Sequence, residues 1–330
     1  MSARNESFLA GILIKRCYNS VKIKRICVEY NPNFLNNKIV LKDIEKEKLH
    51  NLAKKFYLKY LLEDIKLIDK LSFDFIYSSA QIEGNTYTKA DTISLLQDGI
   101  TANGKLYSDA KMIMNLREGF NTAFYNKISI NLTNLLDIHS ILSSDLVKKH
   151  NQGAMRLENL TGITGCSYLP LSTGQRLKEE MKFLFSTYNE IKDPFERAIY
   201  LHNNLCYLQY FEDCNKRTAR VMQFISLKND NIMPLIILDS NKNDYSAYRN
   251  CMIEYYETGS HQNYIDFFIQ MYEREMKHLA EVRILQADNN QLLDNLAKEL
   301  GIDRNETTEI STLNEDDDSG SGGSSRSRQR

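Results

Sequence analysis

Helix breakers are scarce in this sequence. Four prolines and 14 glycines are spread over 330 residues, so long helices meet few interruptions. The six cysteines, at positions 17, 27, 166, 206, 214 and 251, form no CxxC pair, and no Cys/His spacing matches a zinc site. That pattern reads as reduced thiols in a cytosolic protein. No apolar run approaches the ~20 residues of a membrane span. The start is polar and lacks a signal-peptide core, and the short apolar stretch 8–14 runs into Lys15 and Arg16. A soluble, cytoplasmic protein is expected, with no membrane partner. Neither sign of charge is in excess: the formal net charge is -1, with acidic and basic residues interleaved, which gives no electrostatic case for nucleic acid. What is present is apolar material for a sizeable core, 42% of the chain.

That material falls in helical patterns. Leu61, Ile65, Ile68, Leu71 and Phe75 recur at three- and four-residue spacing within 52–82, with Phe56 five residues ahead of them. Similar patterns run over 110–128, 132–146, 176–188, 194–208, 215–227, 244–256 and onward from 263. Asp193-Pro194 predicts a helix start, with Asp as N-cap and Pro at the first helical position. Residues 21–30 alternate weakly, as a strand or an arm. The stretch 162–170, GITGCSYLP, is too glycine-rich for a helix and predicts a small β-hairpin. From Ser311 the chain turns to Glu315-Asp316-Asp317-Asp318 and SGSGGSSRSRQR, the composition of a disordered tail.

The densest chemistry lies in 207–220. A helix ends near Leu208, a polar loop follows, and a new helix begins near Asn215 with Lys216, Arg217 and Arg220 in its first turns. Cations there oppose the helix dipole. Free backbone N–H groups plus three cations make a strong anion site. Arg217 and Arg220 share a face, and Asp213 is a hard oxygen ligand suited to Mg²⁺. Spacing alone leaves a second reading open: a basic surface helix with Asp213 as its N-cap.

The stretch Gln209-Tyr210-Phe211-Glu212-Asp213-Cys214-Asn215-Lys216-Arg217-Thr218-Ala219-Arg220 resembles the Fic family signature HxFx(D/E)GNGRxxR. Phe211, Asp213, Asn215, Arg217 and Arg220 match; Gln209 stands for the histidine, and Cys214 and Lys216 for the two glycines. Upstream, Ser79-Ala80-Gln81-Ile82-Glu83-Gly84-Asn85 looks like the family's inhibitory motif (S/T)xxxE(G/N). GITGCSYLP looks like its flap, with Ile163, Thr164, Gly165 and Tyr168. Gly153-Ala154-Met155-Arg156 and the segment 193–198 read as framework. The resemblance covers about 65–272, and several weak motifs in family order are more specific than any one. It implies an all-α, Fic-type helical domain with a small β-hairpin flap, preceded by a 1–64 helical or irregular segment. A C-terminal helix at 273–310 and the tail at 311–330 would follow.

The resemblance further implies a nucleotidyltransferase that moves AMP from ATP onto a hydroxyl of an unidentified target protein. Phe211 would pack inward, Asp213 would hold Mg²⁺, and Asn215 with nearby N–H groups would cradle the α-phosphate. Arg217 and Arg220, with Lys216 as an added charge, would meet the outer phosphates. Glu83, fixed by Ser79 and ended by Gly84 as C′ cap, would pair with Arg220 and exclude ATP. Gln209 breaks the scheme, because an amide cannot accept the attacking hydroxyl's proton. Weak or lost transfer is expected, and a non-catalytic nucleotide- or partner-binding pseudoenzyme is the alternative. His202 lies about 10 Å up the same helix, too far to substitute, and reads as a core residue. Cys214 reads as a small residue in place of glycine, with a reactive thiol as its alternative. A homo-oligomer is left open.

Overall fold

The computed structural model describes residues 27–38, 41–56, 58, 64–163, 165–238, 243–286 and 298–301. The tail at 311–330, most of 287–310, Cys17 and Thr164 lie outside the described residues. The elements run β1 (Val28–Glu29), α1 (Asn33–Asn36), α2 (Asp43–Lys55), α3 (Ile65–Ile82), α4 (Lys89–Asp98), α5 (Tyr107–Tyr125) and α6 (Leu132–Ser143). They continue with β2 (Tyr168–Leu169), α7 (Gln175–Glu190), α8 (Pro194–Leu208), α9 (Asn215–Asn229), α10 (Asn243–Thr258) and α11 (Gln262–Gln286). The fold is all-α with one two-stranded pairing among the described residues.

The helix edges follow from capping chemistry. Asp193 Oδ1 accepts from the N–H groups of Phe195 (2.9 Å) and Glu196 (3.1 Å), with Pro194 at the first helical position. The apolar pattern over 52–82 is not continuous helix: α2 stops at Phe56, whose backbone is extended, and Asp64 caps α3 through the Leu67 N–H. α3 ends in a Schellman turn. Gly84, at φ +85°, donates to Gln81 O, and Asn85 donates to Ala80 O.

α8 is buried from Phe195 to Leu208 except at half-buried Arg197, as suits a helix at the centre of a bundle. α9 packs along it; α7 and α10 flank it, and α3, α5 and α6 complete the body around α9. One apolar core runs from Leu35 to Ala280. No helix among the described residues is long and apolar enough to cross a membrane.

The hairpin expected at 162–170 is corrected. Gly165, at φ +79°, makes a turn closed by Cys166 N–H on Ile163 O at 3.1 Å, but the strand that follows pairs in parallel with β1. Val28 N–H donates to Ser167 O at 3.1 Å. The cause is Tyr168, which points inward: its ring stacks on Tyr207 at 4.6 Å and its hydroxyl donates to Tyr207 O. That anchor turns the edge of β2 toward the N-terminal arm.

Candidate functional site

The site is assembled where α8 hands over to α9. α8 ends at Gln209 in the left-handed region (φ +45°), and α9 begins behind Cys214, also left-handed (φ +61°). The loop between is held from several directions. Asn215 Oδ1 accepts from Phe211 N–H, and its Nδ2 donates to Phe211 O, both at 3.0 Å. Arg156, 1% exposed, donates from Nε to Gln209 O (2.7 Å), from its backbone to Tyr210 O (3.1 Å) and from its guanidinium to Leu171 O.

Phe211 packs inward and stacks on His139 at 3.6 Å. Gly153 N–H donates to His139 Nδ1 (3.0 Å), so Nε2 carries the proton and donates to Asp213 O (3.2 Å). Burial lowers His139 to about 4, with the Arg217 cation adding to the effect, and the ring is neutral. A side chain at Gly153 would meet Leu136 O at 2.9 Å, and its φ is +65°, so only glycine brings that N–H to the ring. His139 and the clamping role of Arg156 escaped the sequence reading. The one signal was a histidine amid the apolar pattern of 132–146.

The cations are buried rather than displayed. Arg217 and Arg220 side chains are 5% and 6% exposed, which removes the basic surface-helix reading. The α9 N-cap is Cys214; Asp213 Oδ1 instead accepts from Cys214 N–H at 2.6 Å, while Oδ2 lies 3.4 Å from Arg217 Nη2. Arg217 Nε and Nη1 are buried with no hydrogen-bond partner among the described residues. Arg220 Nη2 donates to Glu83 Oε1 at 3.0 Å and to Ser79 O at 3.1 Å, and its Nη1 reaches Tyr248 Oη at 3.4 Å. Lys216 Nζ lies 3.4 Å from Glu83 Oε2. Burial alone would push the Glu83 carboxyl up; Arg220, Lys216 and Arg217 outweigh it and hold the group below its ordinary value.

Glu83 and Lys216 line an open cavity of about 280 Å³, together with Gln209, Glu212, Asp213, Cys214 and Asn215; Arg217 and Arg220 lie behind its wall. Ile163 of the flap stretch forms part of its wall; Arg249, Met252, Ile253 and Tyr256 of α10, which the sequence did not single out, form another. Gln209 lines the cavity with a committed amide: Nε2 donates to Cys206 O (2.7 Å), and Oε1 accepts from Asn215 Nδ2 (3.3 Å). The reactive-thiol reading of Cys214 fails, because burial pushes the thiol up to about 12. His202 is fully buried against Tyr248 and lowered to about 3 by burial first, so the core assignment stands.

A family model described as the Fic/DOC family matches residues 129–227. Residues 129–227 are a Fic/DOC family domain. The chain is 28% identical over 192 residues to a protein adenylyltransferase Fic of Nematostella vectensis, covering 56% of this chain and 44% of that protein. To the protein of the same name from Drosophila melanogaster it is 26% identical over 179 residues, covering 52% and 36%. The chain thus spans less than half the length of these relatives. Among solved structures, Fic-1 of C. elegans superposes with a TM-score of 0.60 at 17% identity over 74% of this chain and 73% of that one. A Fic domain containing signaling protein from Bacteroides thetaiotaomicron gives 0.58 at 21% identity, over 70% and 95%. These two likenesses establish the fold.

Proposed function

We propose that this chain is an autoinhibited Fic-type protein of the protein adenylyltransferase kind, which binds ATP with Mg²⁺ and whose transfer step is crippled at Gln209. The observation that carries the reading is Glu83 seated on Arg220 and Lys216 at one end of the cavity. A carboxylate on a buried arginine and a part-exposed lysine would occupy the place of a nucleotide's outer phosphates. Arg217, with two buried nitrogens unpartnered among the described residues, offers a donor set for an anion. The first-turn N–H groups of α9 open on the same loop.

Asp213 fits the metal. Its side chain is 64% exposed, and Mg²⁺ is commonly held by one or two carboxylates plus substrate phosphates. The ion would neutralise phosphate charge during transfer. In that step a target hydroxyl oxygen bonds to the α-phosphorus, the bond to the β-phosphate oxygen breaks, and pyrophosphate leaves. The hydroxyl proton needs an acceptor, and the Gln209 amide, bonded to Cys206 O and Asn215, offers none. That commitment favours the second reading, a nucleotide-binding pseudoenzyme, for the chemical step alone.

Calorimetric titration with ATP and Mg²⁺ tests the nucleotide half. Glu83→Gly is expected to raise ATP affinity, and adding Arg217→Ala or Arg220→Ala to lower it by ~1.5–3 kcal/mol each. A Glu83→Gly protein that binds no ATP would refute the proposal.

A further inference from the structure

The signature position that the family fills with glycine is filled here by Lys216, and this lysine does not point idly to solvent. It takes Glu83 Oε2 at 3.4 Å while Arg220 takes Oε1 at 3.0 Å. The two oxygens of one carboxylate are therefore held by two cations. Both cations come from one face of α9, at positions i and i+4. A single ion pair leaves a carboxylate free to pivot about the atom that is bonded. Cations on separate oxygens fix its plane as well as its position.

The two holders differ in access. The Arg220 side chain is 6% exposed, wedged against Ser79 and Tyr248; the Lys216 side chain is 31% exposed and lines the cavity. An anion arriving from the cavity meets Lys216 before Arg220. Burial adds to the asymmetry, because Arg220 without Glu83 would be a desolvated charge with only neutral partners.

We propose that Lys216 is a positioning residue for Glu83: a second holder that strengthens the exclusion of nucleotide by fixing the carboxylate on Arg220. The inference rests on the reading above that Glu83 excludes ATP. A glycine at 216 has no side chain with which to do this. The departure of the sequence from the signature thus has a consequence opposite to simple decay, since it tightens the inhibited state.

The test is a double-mutant cycle in ATP affinity. Dissociation constants for ATP with Mg²⁺ are measured by calorimetry on the wild-type chain, Glu83→Gly, Lys216→Ala and the double variant, each first shown by thermal melting to be folded. Lys216 also bears on a bound phosphate, but that effect is common to both arms of the cycle and cancels in the ratio. The gain in affinity caused by Glu83→Gly is expected to be roughly fivefold smaller in the Lys216→Ala background, a modest factor because the lysine is part-exposed. Lys216→Arg should restore most of the full gain. Hydrogen exchange without nucleotide gives a second readout: the amides of 82–85 should exchange faster in Lys216→Ala than in wild type, with no such difference in the Glu83→Gly background. An equal gain from Glu83→Gly in both backgrounds overturns the role of Lys216 and leaves the nucleotide reading intact. No gain in either background overturns both.

Discussion

Gln209 closes α8 in a backbone conformation that side-chain-bearing residues seldom adopt, and its amide is used to hold that turn together. Two chemical facts then meet at one residue. The position lines the cavity beside Asp213 and Asn215, where a proton acceptor belongs if a hydroxyl is to attack a phosphate. The group present can donate and accept hydrogen bonds but cannot take a proton near neutrality. Restoring an imidazole should restore the missing function only if the rest of the site is competent. In the Glu83→Gly background, Gln209→His is expected to raise AMP transfer by ~10²–10⁴-fold, the usual worth of general-base help. Incubation with labelled ATP and Mg²⁺, followed by counting label on protein, reads this directly. Unchanged transfer in the double variant would mean that the loop geometry, not the missing base, limits chemistry. Cys214 belongs to the same scale: a thiol stands in a glycine's place at φ +61°, with its sulfur buried near Leu142 O.

Elements were legible in the sequence to the extent that their determinants are local. The Asp193-Pro194 start, the run of α8 from 194 to 208 and the end of α3 at Glu83-Gly84 all rest on residues within one turn of each other. The loop between α8 and α9 was legible for the same reason. The flap was not. Its strand is decided by Tyr168 reaching Tyr207 and by an arm some 140 positions earlier, and no window of sequence contains both. His139 and Arg156 were missed likewise: each acts on the loop through backbone atoms far along the chain. Tyr207 supplies one of the long-range bonds that hold the arm. Asn31 N–H donates to Tyr207 Oη at 2.7 Å, while Tyr30 and Phe34 lie against the Tyr207 ring at 5.2 and 5.3 Å. Tyr207→Phe keeps the rings packed and leaves that N–H without its acceptor, at an expected cost of ~1–3 kcal/mol. Hydrogen exchange should show the amides of 28–31 opening faster while those inside α8 stay protected. Equal protection in both proteins would show that stacking alone holds the arm.

At the scale of the whole molecule, the core closes over ionisable groups as well as apolar ones. Burial lowers His202 and His261 to about 3, with Arg220 also disfavouring charge at His202, and lowers His139 and His278 to about 4. An unfolded histidine takes up its proton near 6.5. Between that value and the folded one, the unfolded chain binds more protons than the native chain, so stability must fall as the pH falls. Each fully buried histidine contributes a slope of up to ~1.4 kcal/mol per pH unit in that window. His202 and His261 together supply ~2.7 kcal/mol per unit, and two units of acidification reach ~5 kcal/mol, a large part of a typical domain's stability. Glu275 acts in the other direction. Burial raises its carboxyl well above the ordinary value; the folded chain therefore keeps a proton that the unfolded chain loses above about 4.5, and acidification relieves that cost. Asp74, also raised by burial, acts the same way, and two carboxyls set against four histidines do not reverse the sign. Scanning calorimetry at pH 7, 6 and 5 should show a melting temperature that drops at each step. In His261→Asn, which removes one buried imidazole, the drop from pH 6 to pH 5 should be smaller than in the wild-type chain. A melting temperature constant from pH 7 to pH 5 would mean that these rings are protonated inside the folded protein, and the neutral core described above would be wrong.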